Sequence, residues 1–299
     1  MTSTLFVIAL ATAAPALVPE LSTEIWQVAP GTSAKVWTAT DKPSEKKRAL
    51  VLIPGLHVHP LRPAKATKPE LRDWQQPKSE LVKTLAKDFD VFAFGYSQTV
   101  SADEVAQGPG LRDAVANLRK SGYTEIVLVG HSAGGVISRH FVEQNPDAGV
   151  SRVIAIAAPF AGAEAATLNI GYPKVQAPFV KSLAPEARKE AMRGSKFALS
   201  PDAEFACVVC RLKRGDTDGL VLVRSQWPED LQQLGVPAVI AQVSHFDAME
   251  NAATAKTILE LAKGKLTRWS TEDVDTARKI LFGEPPAPAR SNFLKRQAK

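Results

Sequence analysis

Residues 125–140, with the sequence EIVLVGHSAGGVISRH, constrain the fold of this chain more than any other stretch. Residues 126–129 form an apolar run typical of a buried strand, and the residues after Gly134 have the apolar spacing of a helix. Between them lies a Gly-His-Ser-Ala-Gly turn centred on Ser132. The stretch therefore predicts a strand, a sharp turn and a helix.

The composition of this turn favours an exposed serine hydroxyl. A serine at the apex must adopt a strained backbone conformation that lifts its Oγ above the sheet. Gly130, Gly134 and Gly135 lack the Cβ atoms that would collide where strand and helix pass closest. We expect Ser132 to be a nucleophile at a helix N-terminus, where developing negative charge is favoured. A structural Gly-Ser turn is the alternative.

Length and composition favour a single α/β domain over residues 20–283. The 299 residues are 45% hydrophobic, which is enough for a full core. The net charge is +6, but residues 284–299 hold four basic side chains and one acidic one, which is half of the surplus. We expect that segment to be a flexible basic tail. The remaining body is only mildly basic, so nothing indicates nucleic-acid binding.

Residues 1–19 resemble a secretory signal. They carry no charged side chain, and the apolar residues 5–14 precede Pro15 and Ala16, after which cleavage is predicted. The positively charged N-terminal region of such signals is missing. Two localisations are therefore compatible with the sequence: secretion or export to a periplasm, and retention in the cytoplasm. The apolar run is too short for a transmembrane anchor.

Strands alternate with helices along the body of the chain, which predicts a mostly parallel central sheet with helices on both faces. Cys207 and Cys210 lie in one of the predicted strands, where positions three apart face opposite sides. No second cysteine pair completes a zinc site, so both are expected to be core thiols.

Residues 160–201 are longer than a crossover between parallel strands requires. We expect an inserted cap or lid, with Ile170, Phe179, Leu183 and Met192 among the residues of an apolar inner surface. Arg188 is expected among the cations that face water or an anionic interface. Such a cap would cover an acyl-binding pocket. A longer surface connection with one ordinary helix is the alternative.

A nucleophilic serine needs a histidine base, and the chain has five histidines. His131 adjoins the serine, and its side chain is expected to point away from the site. His140 lies on the helix after the turn and is expected to be a packing residue. His57 and His59 follow the first central strand and could line the site. His245 follows the last predicted strand, at the edge where functional groups of such sheets gather, and is the predicted base.

The base needs a carboxylate that orients its ring. Asp218 follows the preceding predicted strand, so the chain order is Ser132, Asp218, His245. Asp216, in the same loop, is the rival. Asp218 is favoured because Gly219 lets the backbone turn directly behind it, and an ordinary Asp-Gly turn is the alternative.

Acyl transfer also needs backbone N–H donors for an oxyanion. The N–H of Ala133, directly after the serine, is one candidate. The second is expected from residues 54–57, in the loop after the first central strand.

Four segments together resemble the α/β-hydrolase superfamily, nearest to bacterial lipases and esterases. They are VLIPGLHVHP, GHSAGG, DGLVLVRSQW and the His245 loop, and the similarity covers about residues 49–262. The resemblance implies the α/β-hydrolase fold, and it implies that Leu56 supplies the second oxyanion N–H. Pro54 stands where those enzymes usually have histidine, which puts the hydrogen bonding of this loop in question.

Lipases of this type can also bind calcium near the histidine loop. Asp247 resembles one ligand, but the sequence offers no convincing second carboxylate, and Asp247 is expected to be a helix N-cap. We therefore predict no metal and no diffusible cofactor.

The predicted activity is hydrolysis of carboxylic esters through an acyl-enzyme. A small-molecule or lipid ester is the expected substrate, with transient contact to a lipid interface. Thioester hydrolysis or acyl transfer on the same triad is an alternative, and a binding protein that keeps the fold without turnover is another.

Overall fold

A computed structural model describes residues 21–38, 40–168, 170–194, 199–200 and 203–283. The signal-like segment 1–19 and the basic tail 284–299 lie outside these residues. None of the described helices has the length and apolarity that crossing a bilayer requires.

Among the described residues, eight strands form one sheet in the order β2-β1-β4-β3-β5-β6-β7-β8. Strands β3 to β8 are parallel, and β1 pairs antiparallel with β2 and β4. The bounds are β1 Thr23–Ala29, β2 Lys35–Val36, β3 Arg48–Ile53, β4 Asp90–Tyr96, β5 Glu125–His131, β6 Arg152–Ile156, β7 Glu204–Cys210 and β8 Ala238–Ala241.

The described helices lie on both faces of this sheet. Their bounds are α1 Glu80–Leu85, α2 Ala102–Gln107, α3 Pro109–Lys120, α4 Ala133–Gln144, α5 Ala177–Ser182, α6 Pro185–Gly194, α7 Val223–Gln226, α8 Glu229–Gln233, α9 Ala252–Lys263 and α10 Thr271–Phe282. Helices α1 and α9 pack on one face, and α2, α3, α4 and α10 pack on the other. The predicted mostly parallel α/β architecture is confirmed.

The apolar strand runs are continuous because both faces of the sheet are covered. In β5, Ile126 and Leu128 belong to one core, and Val127 and Val129 belong to the other. The same alternation separates the thiols of β7, because Cys207 and Cys210 are buried, unpaired and on opposite faces, as predicted.

The strand order reverses at β3, since β4 lies on one side of it and β5 on the other. A crevice opens at the carboxyl ends of strands where such a reversal occurs. The loop after β3 and the turn after β5 therefore face each other at this point.

The insert of residues 160–201 packs onto the core in its described parts, and it holds two α-helices rather than one. Phe179 and Leu183 are 0% and 5% exposed, and the Phe179 ring centroid lies 5.7 Å from that of Tyr96. Ile170 is 74% exposed, so its predicted place on the inner surface is wrong. It lies beside the Gly171 turn, outside both helices, where helical spacing does not apply.

The prediction that Arg188 faces water is also wrong. Its side chain is 1% exposed, and its guanidinium lies 2.8 Å and 3.1 Å from the two carboxylate oxygens of Asp103. The same group lies 2.8 Å from Nε2 of His140, whose Nδ1 is 2.6 Å from Asp103. Arg188 is buried because α2 and α4 supply polar partners for its charge.

Candidate active site

Ser132 joins β5 to α4 in a backbone conformation that non-glycine residues rarely adopt. Its φ is 54° and its ψ is −126°. The Ser132 N–H donates to the Ile156 carbonyl at 2.8 Å, and the Gly135 N–H donates to the Ser132 carbonyl at 2.9 Å. The turn is held from both sides, as a strained residue requires.

The flanking glycines are sterically necessary for this turn. A Cβ on Gly130 would lie 2.3 Å from the Gly134 carbonyl oxygen, and a Cβ on Gly134 would lie 2.2 Å from the Ile53 carbonyl oxygen. Any larger residue at either position would push α4 away from the sheet. The strand, sharp turn and helix predicted from the sequence are confirmed.

The Ser132 hydroxyl lies against His245. Oγ of Ser132 is 3.0 Å from Nε2 of His245, and the two residues are 7% and 3% exposed. His245 follows β8, and its backbone N–H donates to the Asp218 carbonyl at 2.9 Å. This backbone hydrogen bond connects the loops after β7 and β8 next to the contact between the Asp218 and His245 side chains.

Asp218 completes a hydrogen-bonded chain from the serine. Its Oδ2 lies 2.7 Å from Nδ1 of His245, and the residue is fully buried. The other oxygen, Oδ1, accepts the backbone N–H groups of Leu220 at 2.9 Å and Val221 at 2.7 Å. Asp216 is exposed in the same loop. The structure therefore brings Asp218, and not Asp216, against the histidine.

The loop after β3 passes directly against Ser132. A Cβ on Gly55 would lie 2.6 Å from the Ser132 Cβ, so this close approach requires glycine. Leu56 follows Gly55 in this loop and Ala133 follows Ser132, and each carries a backbone N–H group. Within the part of the chain that the structure describes, neither group donates to a protein acceptor. Their role as oxyanion donors stays a prediction.

His131 takes a position that the sequence did not predict. Its Nε2 lies 3.1 Å from the backbone carbonyl oxygen of His245, and the two ring centroids are 5.0 Å apart. Burial, with a smaller contribution from His245, lowers the pKa of His131 to about 3. The ring is therefore neutral at neutral pH and donates its Nε2–H to that carbonyl.

Three glutamines also belong to the site and have no sequence signature of their own. Gln226, in α7, donates from Nε2 to Oδ2 of Asp218 at 3.2 Å. Gln98 and Gln176 hold the loop after β3 through side-chain amides. The DGLVLVRSQW segment contains Gln226, but the sequence alone does not indicate which carboxylate accepts a hydrogen bond from its amide.

Comparisons with known proteins agree with this architecture. A family model described as the alpha/beta hydrolase fold matches residues 74–176. The structure of lipase BlEst2 from Bacillus licheniformis, in its mature form, superposes with a TM-score of 0.58 at 14% identity, covering 82% of this chain and 98% of that one. The chain has the α/β-hydrolase fold.

Two further structures share this α/β-hydrolase fold. Lipase B from Aspergillus fumigatus has a TM-score of 0.53 at 15% identity, covering 82% of this chain and 61% of that one. Phospholipase PlaB from Legionella pneumophila has a TM-score of 0.51 at 13% identity, covering 79% and 63%. No curated protein sequence matches this chain significantly.

One group of side chains outside the serine site has the ligand types of a metal site. Among the described residues, His57, His59 and Glu70 present ligand atoms within 4.8 Å of one another. Lys65 lies 3.2 Å from Glu70, and the Arg72 guanidinium contacts both Glu70 and His57. These two cations would repel a divalent ion. The expectation of no metal stays a prediction.

The predicted role of Asp247 as a helix N-cap is wrong. The cap of α9 is Asn251, whose side chain accepts the N–H groups of Ala253 and Thr254 at 2.9 Å and 3.1 Å. Asp247 instead accepts the Ser244 hydroxyl in the turn after β8. An additional turn separates this loop from the helix, which the sequence spacing did not reveal.

A cavity of about 440 Å³ lies between the loop after β6 and α6. Its lining includes Phe160, Pro185 and Met192, and it does not include Ser132 or His245. Met192 was predicted on the inner surface of a cap, but this cavity is not placed at the serine. An acyl pocket beneath the insert therefore stays a prediction.

Exposed apolar side chains gather on the loops at the carboxyl edge of the sheet. Leu61, Ile170 and Phe246 are 92%, 74% and 74% exposed and follow β3, β6 and β8. The other large exposed apolar residues on these loops are Leu168, Leu212, Leu220 and Leu222. Among the described residues, Val36 and Ile280 are the two that lie elsewhere. The candidate site lies at the same edge of the sheet.

Proposed function

We propose that the protein is a serine hydrolase that cleaves carboxylic esters through an acyl-enzyme. One observation carries the proposal: an unbroken hydrogen-bonded chain joins Ser132 Oγ, the His245 ring and the Asp218 carboxylate, with distances of 3.0 Å and 2.7 Å. The strained turn at Ser132 is the nucleophile elbow of this proposal.

The roles follow from the geometry. His245 removes the proton as Ser132 attacks the ester carbonyl carbon and then gives it to the leaving alkoxide. Asp218 holds the tautomer with the proton on Nδ1 and stabilises the imidazolium that forms. The N–H groups of Leu56 and Ala133 donate to the oxyanion of the tetrahedral intermediate. Water then attacks the acyl-enzyme by the same steps, and the acid is released.

Ester substrates are favoured over other acyl donors by the fold neighbours, two named as lipases and one as a phospholipase. Their sequence identity is low, so we take from them only the class of bond. The apolar edge suits substrates with hydrocarbon chains and transient contact with a lipid interface.

A substrate panel tests the proposal. Wild type and Ser132→Ala are assayed on p-nitrophenyl esters and acyl thioesters of matched chain length. We expect ester hydrolysis that exceeds thioester hydrolysis in kcat/KM and is lost in Ser132→Ala. A preference for thioesters would assign a thioesterase, and equal rates for the two proteins would contradict a Ser132 nucleophile.

A further inference from the structure

Residues 54–59 form no regular secondary structure, although they carry one of the two proposed oxyanion donors. Buried backbone groups outside helices and sheets need partners from elsewhere in the chain. For four of these groups, from Gly55 to His59, the partners are side-chain amides. They come from two elements that are far apart in sequence.

The Gln98 side chain makes hydrogen bonds to the backbone on both sides of Leu56. Its Nε2 donates to the Gly55 carbonyl at 2.9 Å, and its Oε1 accepts the His57 N–H at 2.9 Å. The side chain is 3% exposed. A flipped amide would bring nitrogen against N–H and oxygen against carbonyl, so this pairing fixes the amide orientation.

The Gln176 side chain makes hydrogen bonds to the backbone on both sides of Val58 in the same way. Its Nε2 donates to the His57 carbonyl at 2.8 Å, and its Oε1 accepts the His59 N–H at 3.1 Å. The residue is fully buried and directly precedes α5 of the insert. Its Nε2 also lies 3.2 Å from Oε1 of Gln98, which joins the two amides.

The bond to Gly55 determines where the Leu56 N–H points. In a trans peptide unit the carbonyl and the following N–H point in opposite directions. Because Gln98 holds the Gly55 carbonyl, the Leu56 N–H is directed away from Gln98. Gly55 itself lies against Ser132, since a Cβ built on it would be 2.6 Å from the Ser132 Cβ.

We infer that Gln98 and Gln176 are positioning residues that aim the Leu56 N–H at the oxyanion, an inference that rests on the proposed function. Pro54 stands where related enzymes usually have histidine, and here the two glutamines supply hydrogen bonds to the loop. Tyr96 adds one more, because its hydroxyl donates to the Pro54 carbonyl at 2.6 Å. Through Gln176, the docked insert takes part in forming the oxyanion site.

The main test compares Gln98→Leu and Gln176→Leu with Gln75→Leu. Gln75 is a matched control because it is fully buried and also makes two backbone bonds, to the Leu52 carbonyl at 3.0 Å and the Arg72 N–H at 2.9 Å. Those bonds lie outside residues 54–59. The readouts are kcat and KM for a soluble acetate ester, and inhibition by a trifluoromethyl ketone that forms a tetrahedral adduct.

We expect Gln98→Leu to lose about 100-fold or more in kcat with little change in KM, because a misdirected donor affects the transition state more than the bound substrate. Trifluoromethyl ketone affinity should fall in parallel with kcat/KM. Gln176→Leu should show a smaller loss of the same kind, and Gln75→Leu should keep its kcat.

Gln98→Glu gives a second readout if the leucine variant does not fold. A protonated glutamic acid can donate to the Gly55 carbonyl and accept the His57 N–H, but a carboxylate cannot donate. The ratio of variant to wild-type kcat/KM should therefore rise as the pH is lowered. A flat ratio, or a folded Gln98→Leu with wild-type kcat, would overturn the inference. An inactive wild type would instead overturn the proposed function.

Discussion

The carboxylate of Asp218 accepts four hydrogen bonds at a fully buried position. All four partners are donors: two backbone N–H groups, the Gln226 amide and the His245 ring. An asparagine amide could not accept from all of them, because its nitrogen would face a donor. The site is therefore matched to a carboxylate, which is the basis of the first prediction.

Asp218→Asn should lower kcat by about four orders of magnitude, because it favours the wrong histidine tautomer. Asp216→Asn changes the same functional group in the same loop at an exposed position and should stay close to wild type. Steady-state kinetics on one soluble ester compares them. A larger loss in Asp216→Asn would move the acid to that residue.

His131 predicts a pH dependence of stability. Its pKa is lowered by burial from 6.5 to about 3. Below pH 6.5 the unfolded chain therefore binds a proton that the native protein excludes, and the free energy of unfolding falls as the pH approaches 3. Above pH 6.5 His131 is neutral in both states, so the free energy of unfolding keeps its full contribution from this residue.

His131→Gln removes this proton uptake, so its urea midpoint should fall less than that of wild type between pH 6.5 and about 4. Urea titrations at several pH values, followed by circular dichroism, measure the difference. Parallel pH profiles for the two proteins would show that His131 does not resist protonation.

The sequence predicted Ser132, Asp218 and His245 from their order and from the strands that they follow, and the structure brings the three side chains together. The sequence did not identify Gln98 and Gln176, because an amide gains its role only from the backbone groups that it meets. The bond from Gln176 to His57 spans 119 positions in the chain, so no local pattern could reveal it.

Among the elements, the insert shows most clearly what packing adds to sequence patterns. Its apolar residues were expected to face a substrate, and Phe179 instead belongs to the core. Helix α2 was not predicted, although Ser101 and Glu104 form a capping box at its start. The long buried strands were predicted with small errors at their ends because their apolar runs are continuous.

Arg188 should be a strong contributor to docking of the insert. Arg188→Met removes the guanidinium that pairs with Asp103 and should destabilise the protein by about 3 kcal/mol, because a partly buried carboxylate loses its partner. Lys189→Met is the control, since the Lys189–Glu186 pair spans 3.7 Å between exposed side chains. Its effect should stay within about 0.5 kcal/mol.

Urea unfolding midpoints at constant slope measure both variants. Equal midpoints for Arg188→Met and Lys189→Met would mean that the buried pair does not hold the insert. A larger change for Lys189→Met would reverse the ranking that burial predicts.

On the scale of the whole molecule, the candidate active site and most of the large exposed apolar side chains lie at one edge of the sheet. The parallel topology brings them together, because every loop that follows a parallel strand begins at that edge. We expect this edge to contact lipid aggregates. A Leu61→Ser and Ile170→Ser double variant should reduce activity on an emulsified long-chain ester by about tenfold or more.

The matched control is Val36→Ser with Ile280→Ser, which removes exposed apolar side chains elsewhere on the molecule. Both double variants should hydrolyse a dissolved acetate ester at the wild-type rate. Equal activity of the two variants on the emulsion would exclude an interfacial role for this edge.

Covalent labelling of the nucleophile tests the central claim most directly. Wild type and Ser132→Ala are incubated with a fluorophosphonate, and the modified residue is located by peptide mass spectrometry. Wild type should carry one adduct on Ser132, and folded Ser132→Ala should carry none. An adduct on another serine, or equal labelling of the two proteins, would contradict the account.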